Sequence, residues 1–374
     1  MTKIFRIGII GFAHMHVNSL LADFAGHPQA ELVAAADTQP ARPELREARY
    51  TRGWNLRNAR ENYGVTRIYQ DYRELLAHES CDIIVCCAEN ARHAEVVEAG
   101  ADAGVHVLVE KPMADSLSNG LRMVRACRAA GVTLVVNWPL TWSAAARKAK
   151  ELIDAGAIGR VLEVKWRGGH TGPLGPGVRH PGVAETSAPM SGVERGATWW
   201  HQRAAGGGAM LDYCCYGSLV ARWYIGEQAL AAVGMRANLD SPWGDADDNG
   251  AMIVRFPHAM ALFEASWTTW DHGVAPGPIV YGSEGTLVVT RKKEQVVQVL
   301  RSDGTQETIV CEPLPRGDSN VAEAFIRHLT TGEPLHPSLD ADFNLEVMAI
   351  LDAGVRAADS GKLEPVNNET WCIG

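Results

Sequence analysis

From residue 4 to residue 137 the chain alternates short, unbroken apolar runs with stretches of helical spacing, and this alternation narrows the fold more than any other feature. Ile4 to Ile10 is a continuous β-rich run, residues 14–26 carry a helical spacing, and Glu31 to Ala36 is a second run closed by Asp37. Asp82 to Cys87, a helix from His93 to Ala103, Val105 to Val109, a helix over 116–130 and Val132 to Val136 continue the pattern. Strands buried on both faces read as unbroken apolar runs, and a helix between two of them returns the chain to the same edge. The pattern therefore predicts parallel βαβ units in a doubly wound sheet.

After Asn137 the texture changes. A helix over 143–155 precedes a strand, Val161 to Trp166, and residues 168–208 then hold eleven glycines and four prolines with little periodicity. An irregular stretch of that length inside a compact domain is usually a functional loop, and Trp199 and Trp200 argue that this one is packed. A helix, Met210 to Ile225, follows. Alternating segments between 229 and 311, such as Ala251 to Phe256 and Ala259 to Trp267, read as antiparallel strands, and helices near 319–330 and 341–359 close the chain.

At 374 residues two domains are the default. The formal charge of −9 argues against nucleic acid and anionic membrane surfaces as partners. No apolar stretch reaches the ~18 residues of a membrane span. The first strand begins within three residues of Met1, leaving no room for a secretory signal. The eight cysteines sit mostly inside apolar runs and form no Cys-x-x-Cys pair, so buried, reduced thiols in a cytoplasmic protein are expected.

The first chemical site is the turn Gly11-Phe12-Ala13-His14-Met15-His16. Against Gly-x-Gly-x-x-Gly it keeps the first glycine and places Ala13 and His16 at the other two. Its context is stronger than its letters, since a strand precedes it, a helix follows, and Asp37 ends the next strand 26 residues beyond Gly11. Such a turn brings backbone N–H groups to a pyrophosphate, while the carboxylate accepts from the adenosine ribose. Thr38 stands where a 2′-phosphate would want arginine, which favours NAD over NADP. His14 and His16 form a His-x-His pair with no third ligand nearby in sequence, so no metal is expected. Ala88, Asn90 and His93 follow another strand, where open α/β sheets place ligand contacts. Glu110-Lys111-Pro112 ends the run Val105 to Val109, and a lysine at the mouth of a parallel strand suits proton transfer beside hydride transfer.

The glycine turn, Asp37, the Asn90–His93 segment, Glu110-Lys111-Pro112, Gly206-Gly207-Gly208 running into Asp212, and Gly282-Ser283-Glu284-Gly285-Thr286-Leu287 fall in an order and spacing that resembles the Gfo/Idh/MocA oxidoreductases across almost the whole chain. The resemblance implies an α/β protein. An N-terminal Rossmann domain, a doubly wound parallel sheet over 1–137, would precede an α/β domain over 138–374 with a large open, mostly antiparallel sheet for substrate binding and for homodimer or homotetramer contacts. It also implies Lys111 at the catalytic centre and a sugar, inositol or related polyol as substrate. NAD would lie against Gly11, Phe12, Ala13, His14, Asp37, Ala88, Asn90, His93, Glu110, Lys111 and Asn137. The family pattern Asp-x-Gly-x-His is replaced here by Asp212-Tyr213-Cys214-Cys215-Tyr216. The i, i+4 spacing puts Asp212 and Tyr216 on one helix face, and a neighbouring lysine would bring the phenol toward its working range. Lys111, Tyr216 and Asp212 are thus the expected catalytic residues of an NAD-dependent sugar dehydrogenase. An NAD-dependent glycoside hydrolase, working by transient oxidation, elimination and water addition, is the rival.

One feature bears on the substrate. Between 165 and 203 the chain has Lys165, Arg167, Arg179, Arg195 and Arg203 against Glu185 and Glu194, a reversal of the overall charge. The expectation is that one or more of Arg179, Arg195 and Arg203, with His180 or His201, meets an anionic group on the sugar. Trp199, Lys111, Asp212 and Tyr216 would complete the substrate contacts.

Overall fold

The computed structural model describes residues 3–175, 188–270, 276–291 and 294–368. The N-terminal domain builds β1 (Phe5–Ile10), α1 (Val17–Ala25), β2 (Ala30–Ala36), α2 (Arg52–Tyr63), β3 (Ile68–Tyr69), α3 (Tyr72–His78), β4 (Ile83–Cys86), α4 (His93–Asp102), β5 (His106–Glu110), α5 (Leu117–Ala130) and β6 (Leu134–Asn137). Its six strands are parallel and ordered β3-β2-β1-β4-β5-β6. Every residue of β4 and β6 is buried, as strands covered on both faces must be. The order reverses between β1 and β4, so a crevice opens beyond their carboxyl ends, where Gly11 and Ala88 lie.

The segment between Asp37 and Asp82 holds α2, β3 and α3, none of which the apolar pattern announces. The reason lies in what α2 buries. Beside Trp54 and Ala59 its inner face carries Asn55 and Asn58, which bond to Asn18 on α1 at 2.9 and 2.7 Å. An amide network can satisfy a helix interface without leaving an apolar stripe to read.

The second domain follows with α6 (Ala144–Asp154), β7 (Val161–Gly169), α7 (Gly192–Gly196), α8 (Cys215–Ile225), β8 (Ala231–Ala237), β9 (Asn249–Arg255), β10 (Met260–Ser266), β11 (Ile279–Gly282), β12 (Gly285–Arg291), β13 (Gln295–Arg301), β14 (Gln306–Val310), α9 (Val321–Thr331), α10 (Ala341–Ser360) and β15 (Glu364–Pro365). The nine strands run β14-β13-β12-β11-β7-β10-β9-β8-β15, antiparallel except where β7 lies parallel to β10. Helices α6, α8 and α10 cover one face of this sheet. The chain then folds back on its start: Val321, Phe325 and Leu339 share one buried cluster with Phe5, Ile7 and Phe24. Helix α10 packs against both α5 and β8, so the two sheets are held together around the crevice. Among the described residues no helix is long and apolar enough to cross a membrane.

Candidate active site

The glycine turn closes on backbone. Gly11 has φ +88°, and a Cβ there would lie 2.4 Å from the Ala88 nitrogen, so only glycine lets the end of β1 rest on the end of β4. Within the turn the amides of Gly11, Phe12, His14 and His16 are occupied by Ala36 O, Asp37 Oδ1, Cys87 O and His14 Nδ1, at 2.9, 2.9, 3.1 and 3.2 Å. Among the described residues those of Ala13 and Met15 have no such partner. Two free amides at the entry to α1 suit an anionic oxygen.

Asp37 is fixed from three sides. Its Oδ1 accepts from the amides of Phe12 (2.9 Å) and Thr38 (2.8 Å) and from Arg52 (2.5 Å). Arg52 also reaches Glu89 and the carbonyl and hydroxyl of Thr38, the last two at 3.1 Å. Thr38 Oγ1 in turn donates to Glu89 at 2.8 Å. Glu44 accepts the Arg52 amide at 2.9 Å, and burial pushes its carboxyl up to about 7. Burial likewise raises Asp37, against the pull of Arg52. The end of β2 thus carries a cluster of three carboxylates around one guanidinium. Sequence reasoning found Asp37 and missed Arg52, Glu44 and Glu89. Glu89 stood in a segment already under scrutiny, but nothing local marked it as a partner for a residue 37 positions upstream.

Further along the crevice, Asn90 donates Nδ2 to Gly206 O at 2.8 Å, while its buried Oδ1 has no hydrogen-bond partner and is an acceptor left for a ligand. His93 is fully buried with its ring nitrogens 3.1 Å from Met113 O and 3.3 Å from Ala88 O. Burial lowers its pKa, so the ring is neutral. The neutral ring has one N–H to donate to one of these carbonyls, and it lies between the chain after β4 and the chain after β5. Glu110 is also fully buried, bonded to His16 Nδ1 and Asn137 Nδ2, each at 2.8 Å. Burial works to raise its carboxyl, but His16, Lys111 and Asn137 outweigh it and hold it below the usual range. The ligating atoms of His14, His16 and Glu110 lie within 4.8 Å of one another, so the fold brings to the His-x-His pair a third ligand-type group that sequence spacing could not reveal. Both Glu110 oxygens and His14 Nδ1 are already engaged in hydrogen bonds there.

The chemistry centres on Lys111. Its side chain is 2% exposed, and Nζ donates to Asp212 Oδ1 at 2.6 Å and to Asp212 O at 3.2 Å. Asp212 Oδ2 accepts from Trp267 Nε1 at 3.3 Å. Burial disfavours both charges, but the attraction of the pair wins: the Asp212 carboxyl is lowered and the Lys111 ammonium is held well above its ordinary value. Asp212 sits in a π-helical turn, Met210–Cys214, whose first amide is taken by Asp247 Oδ2 at 2.8 Å. Such turns recur at functional sites because the extra residue re-aims a side chain.

Tyr216 does come to the same centre, but in a different capacity from the one expected. Lys111 Nζ lies 4.7 Å over its ring centroid, with Trp166 stacked at 5.5 Å and Trp138 edge-on at 5.3 Å. Burial raises the phenol far above its usual value, and the lysine only moderates that shift. The expectation of a phenol brought toward neutral pH is corrected: burial between the two neighbouring indoles outweighs one ammonium that is already neutralised by Asp212. Tyr216 offers Lys111 a ring face.

The loop residues separate. Trp199 donates Nε1 to Ala13 O at 2.8 Å and lies tilted against Trp200 at 4.0 Å, while Trp200 meets His14 at 4.8 Å, so this pair buttresses the glycine turn. His201 is buried between Trp243 and Trp267, and burial with the Arg195 charge drives its pKa down to about 3. Arg203 is exposed and lies 3.9 Å from Asp359, and its amide donates to Asp245 Oδ1 at 2.8 Å. Arg195 lines one cavity with Trp267, whose Nε1 donates to Asp212. Arg179 and His180 lie outside the described residues. His170 and Trp267 were not singled out from sequence, though both lie in stretches whose aromatic content is visible.

Residues 5–138 match the family described as "Oxidoreductase family, NAD-binding Rossmann fold", and residues 146–288 match "GFO/IDH/MocA C-terminal domain". The chain is 26% identical over 312 residues (82% of this chain, 80% of the relative) to dTDP-3,4-didehydro-2,6-dideoxy-alpha-D-glucose 3-reductase of Streptomyces violaceoruber. It is 28% identical over 311 residues (81% and 85%) to 1,5-anhydro-D-fructose reductase of Ensifer adhaerens. Its fold matches the WlbA dehydrogenase from Bordetella pertussis, solved in complex with NADH and UDP-GlcNAcA, with a TM-score of 0.73 and 24% identity over 97% of this chain and 99% of that one. With a parallel sheet that ends on a glycine turn, a lysine at the mouth of its fifth strand and both family descriptions matched in sequence, the chain belongs to the Gfo/Idh/MocA oxidoreductases, which bind NAD through their N-terminal domain.

Proposed function

We propose that the protein is an NAD-dependent dehydrogenase of a sugar or related polyol in which Lys111 and Asp212 together manage the proton. The observation that carries this reading is the buried Lys111–Asp212 pair at the carboxyl end of β5. When bound, NAD supplies the acceptor for a hydride from the carbinol carbon. An ammonium has three N–H donors, and Asp212 occupies two of them through its carboxylate and its carbonyl. The third is available to the substrate oxygen. In the direction of carbonyl reduction Lys111 hands its proton to that oxygen, and in the direction of oxidation the pair as a unit takes the hydroxyl proton back. Asp212 keeps the ammonium aimed, the Tyr216 ring walls it from below, and Trp267 fixes the free carboxylate oxygen. The sugar-acting relatives support the substrate class.

Lys111→Ala is expected to lower turnover on the best sugar roughly 100- to 10,000-fold, the usual weight of a positioned proton-transfer group, while NAD affinity measured by calorimetry stays within a few-fold. Retained turnover would remove the lysine from the mechanism. Following NADH absorbance and aglycone release together on aryl glycosides separates net oxidation from hydrolysis: release without NADH would replace the dehydrogenase reading.

A further inference from the structure

Beside the catalytic pair, on the far side of Trp267, lies a second cavity of about 150 Å³ lined by Thr171, Arg195, Ser241, Trp243, Trp267 and Trp270, with Asp240 also on its wall. Trp267 is a shared wall, since its Nε1 donates to Asp212. The space is large enough for a small polar group.

The guanidinium in this cavity is held in place. Helix α7 carries Arg195 and is closed by a capping box between Ser191 and Glu194. Glu194 is drawn to Arg46 at 3.1 Å and so turns its charge elsewhere. Helix α7 packs directly on Trp243: a Cβ on Gly196 would lie 2.3 Å from Trp243 O, and one on Gly192 2.6 Å from its ring. Arg195 lies over the Trp243 ring at 5.2 Å, and a Cβ on Gly172 would lie 2.5 Å from its Nη2. Yet no ion pair to Arg195 forms among the described residues, and Nε is buried without a hydrogen-bond partner. The same holds for Trp243 Nε1 and, next along the chain from Thr171, for His170 Nδ1. An arginine Nε and an indole N–H that are buried without a partner are costly unless an acceptor arrives to meet them. Asp240 is exposed at the rim, and its charge acts on Arg195 without a direct bond.

We propose that this cavity is a subsite for the carboxylate of an acidic sugar, with the Arg195 guanidinium as its charged donor and Trp267 separating it from the reacting carbon. The flat donor fork of arginine takes a carboxylate through two parallel hydrogen bonds, and a planar anion fits a slot walled by indoles. The exposed Trp270, 85% accessible, stands at the mouth as a platform for a sugar face. This inference rests on the dehydrogenase reading only for the identity of the sugar; the anion site itself can be tested by binding alone.

The test is calorimetric titration of the NAD-loaded protein with D-glucuronate and D-galacturonate, each against its neutral counterpart, D-glucose or D-galactose, and against D-glucose 6-phosphate. At least one acidic sugar is expected to bind tighter than its neutral counterpart. Arg195→Gln should weaken that acid by roughly 10- to 100-fold, the range for losing a hydrogen bond to a charged group, and leave the neutral sugar within about twofold. Asp240→Asn should tighten the acid by removing a like charge, a change that a merely structural Arg195 would not produce. Equal loss on acid and neutral sugar, or no preference for any acid in the native protein, overturns the proposal, and a preference for the phosphate alone replaces the carboxylate with a phosphoryl group. Arg195-dependent binding without any NADH formation would keep the anion subsite and reject the dehydrogenase reading instead.

Discussion

Asp212 decides in which protonation state Lys111 meets its substrate. Burial alone would lower the lysine pKa, and it is the adjacent carboxylate that reverses the sign. In Asp212→Asn the attraction is gone and the burial remains, so Lys111 should deprotonate at a lower pH than in the native protein. The alkaline limb of the carbonyl-reduction rate is therefore expected to move acidward, read as kcat/KM against pH; an unmoved limb would mean that another group supplies the proton. Tyr216 sits against the same ammonium through its ring face. Tyr216→Phe should keep activity within a few-fold, whereas Tyr216→Ala, which removes the ring between Trp138 and Trp166, should cost far more; loss of activity in the phenylalanine variant would restore the hydroxyl to the chemistry. At the end of β2, Glu89 and Asp37 both engage Arg52. Three carboxylates there repel a 2′-phosphate, and Glu89→Gln frees part of the guanidinium while removing one negative charge. The ratio of NADP to NAD affinity should rise by about tenfold in that variant, and an unchanged ratio would show that Arg52 has no access to the cofactor.

At the scale of elements, the turn between β1 and α1 is where the fold allows least freedom. Gly11→Ala would force a Cβ to 2.4 Å from backbone on the neighbouring strand and strain a residue at φ +88°. The left-handed penalty of ~1–2 kcal/mol and the overpacking penalty of ~1–3 kcal/mol together predict a clear drop in melting temperature and loss of NAD binding. Unchanged melting would mean that β4 can yield. This turn was legible from sequence because its signal is local: an apolar run, a glycine and a helical spacing within a dozen residues. The strands of the second sheet were legible for the same reason, through their alternation. Helix α2 was not, because the asparagines it buries look like surface residues until Asn18 is seen opposite them. Lys111 and Asp212 were legible as separate motifs 101 residues apart, but the sign of the Tyr216 shift was not. That sign depends on Trp138 and Trp166, which reach the ring from other elements and mark their roles only in space.

Across the whole molecule, the helices α6, α8 and α10 cover one face of the nine-stranded sheet, and the opposite face lacks such a layer within the described residues. Register shows what that face carries. Val233 pairs with Ile253, Ile253 with Leu262, Leu262 with Lys165, Lys165 with Ile279 and Ile279 with Val288, so one row crosses six strands with a single charge in it. The neighbouring positions on the helix-covered side, Ala232, Val254, Ala261, Val164, Val280 and Leu287, are fully buried. Val233, Ile253, Met260 and Tyr281 are instead 38, 42, 43 and 36% exposed. A monomer rarely leaves such an apolar row in water, and the rows beside it on the same face carry both signs, Arg255 with Glu163 and Arg167 with Glu264, which a second copy can match. We therefore propose that this face joins two copies of the chain. The native protein should sediment at a multiple of 40.5 kDa at micromolar concentration. Ile253→Asp with Leu262→Asp should convert it to a single 40.5 kDa species, because two carboxylates at the centre of the row would be desolvated without partners. Lys111 and the glycine turn lie on the other side of the sheet, so the dissociated variant should still bind NAD, which distinguishes a broken interface from a broken fold. A native protein that already sediments at 40.5 kDa would show that this face meets water as it stands.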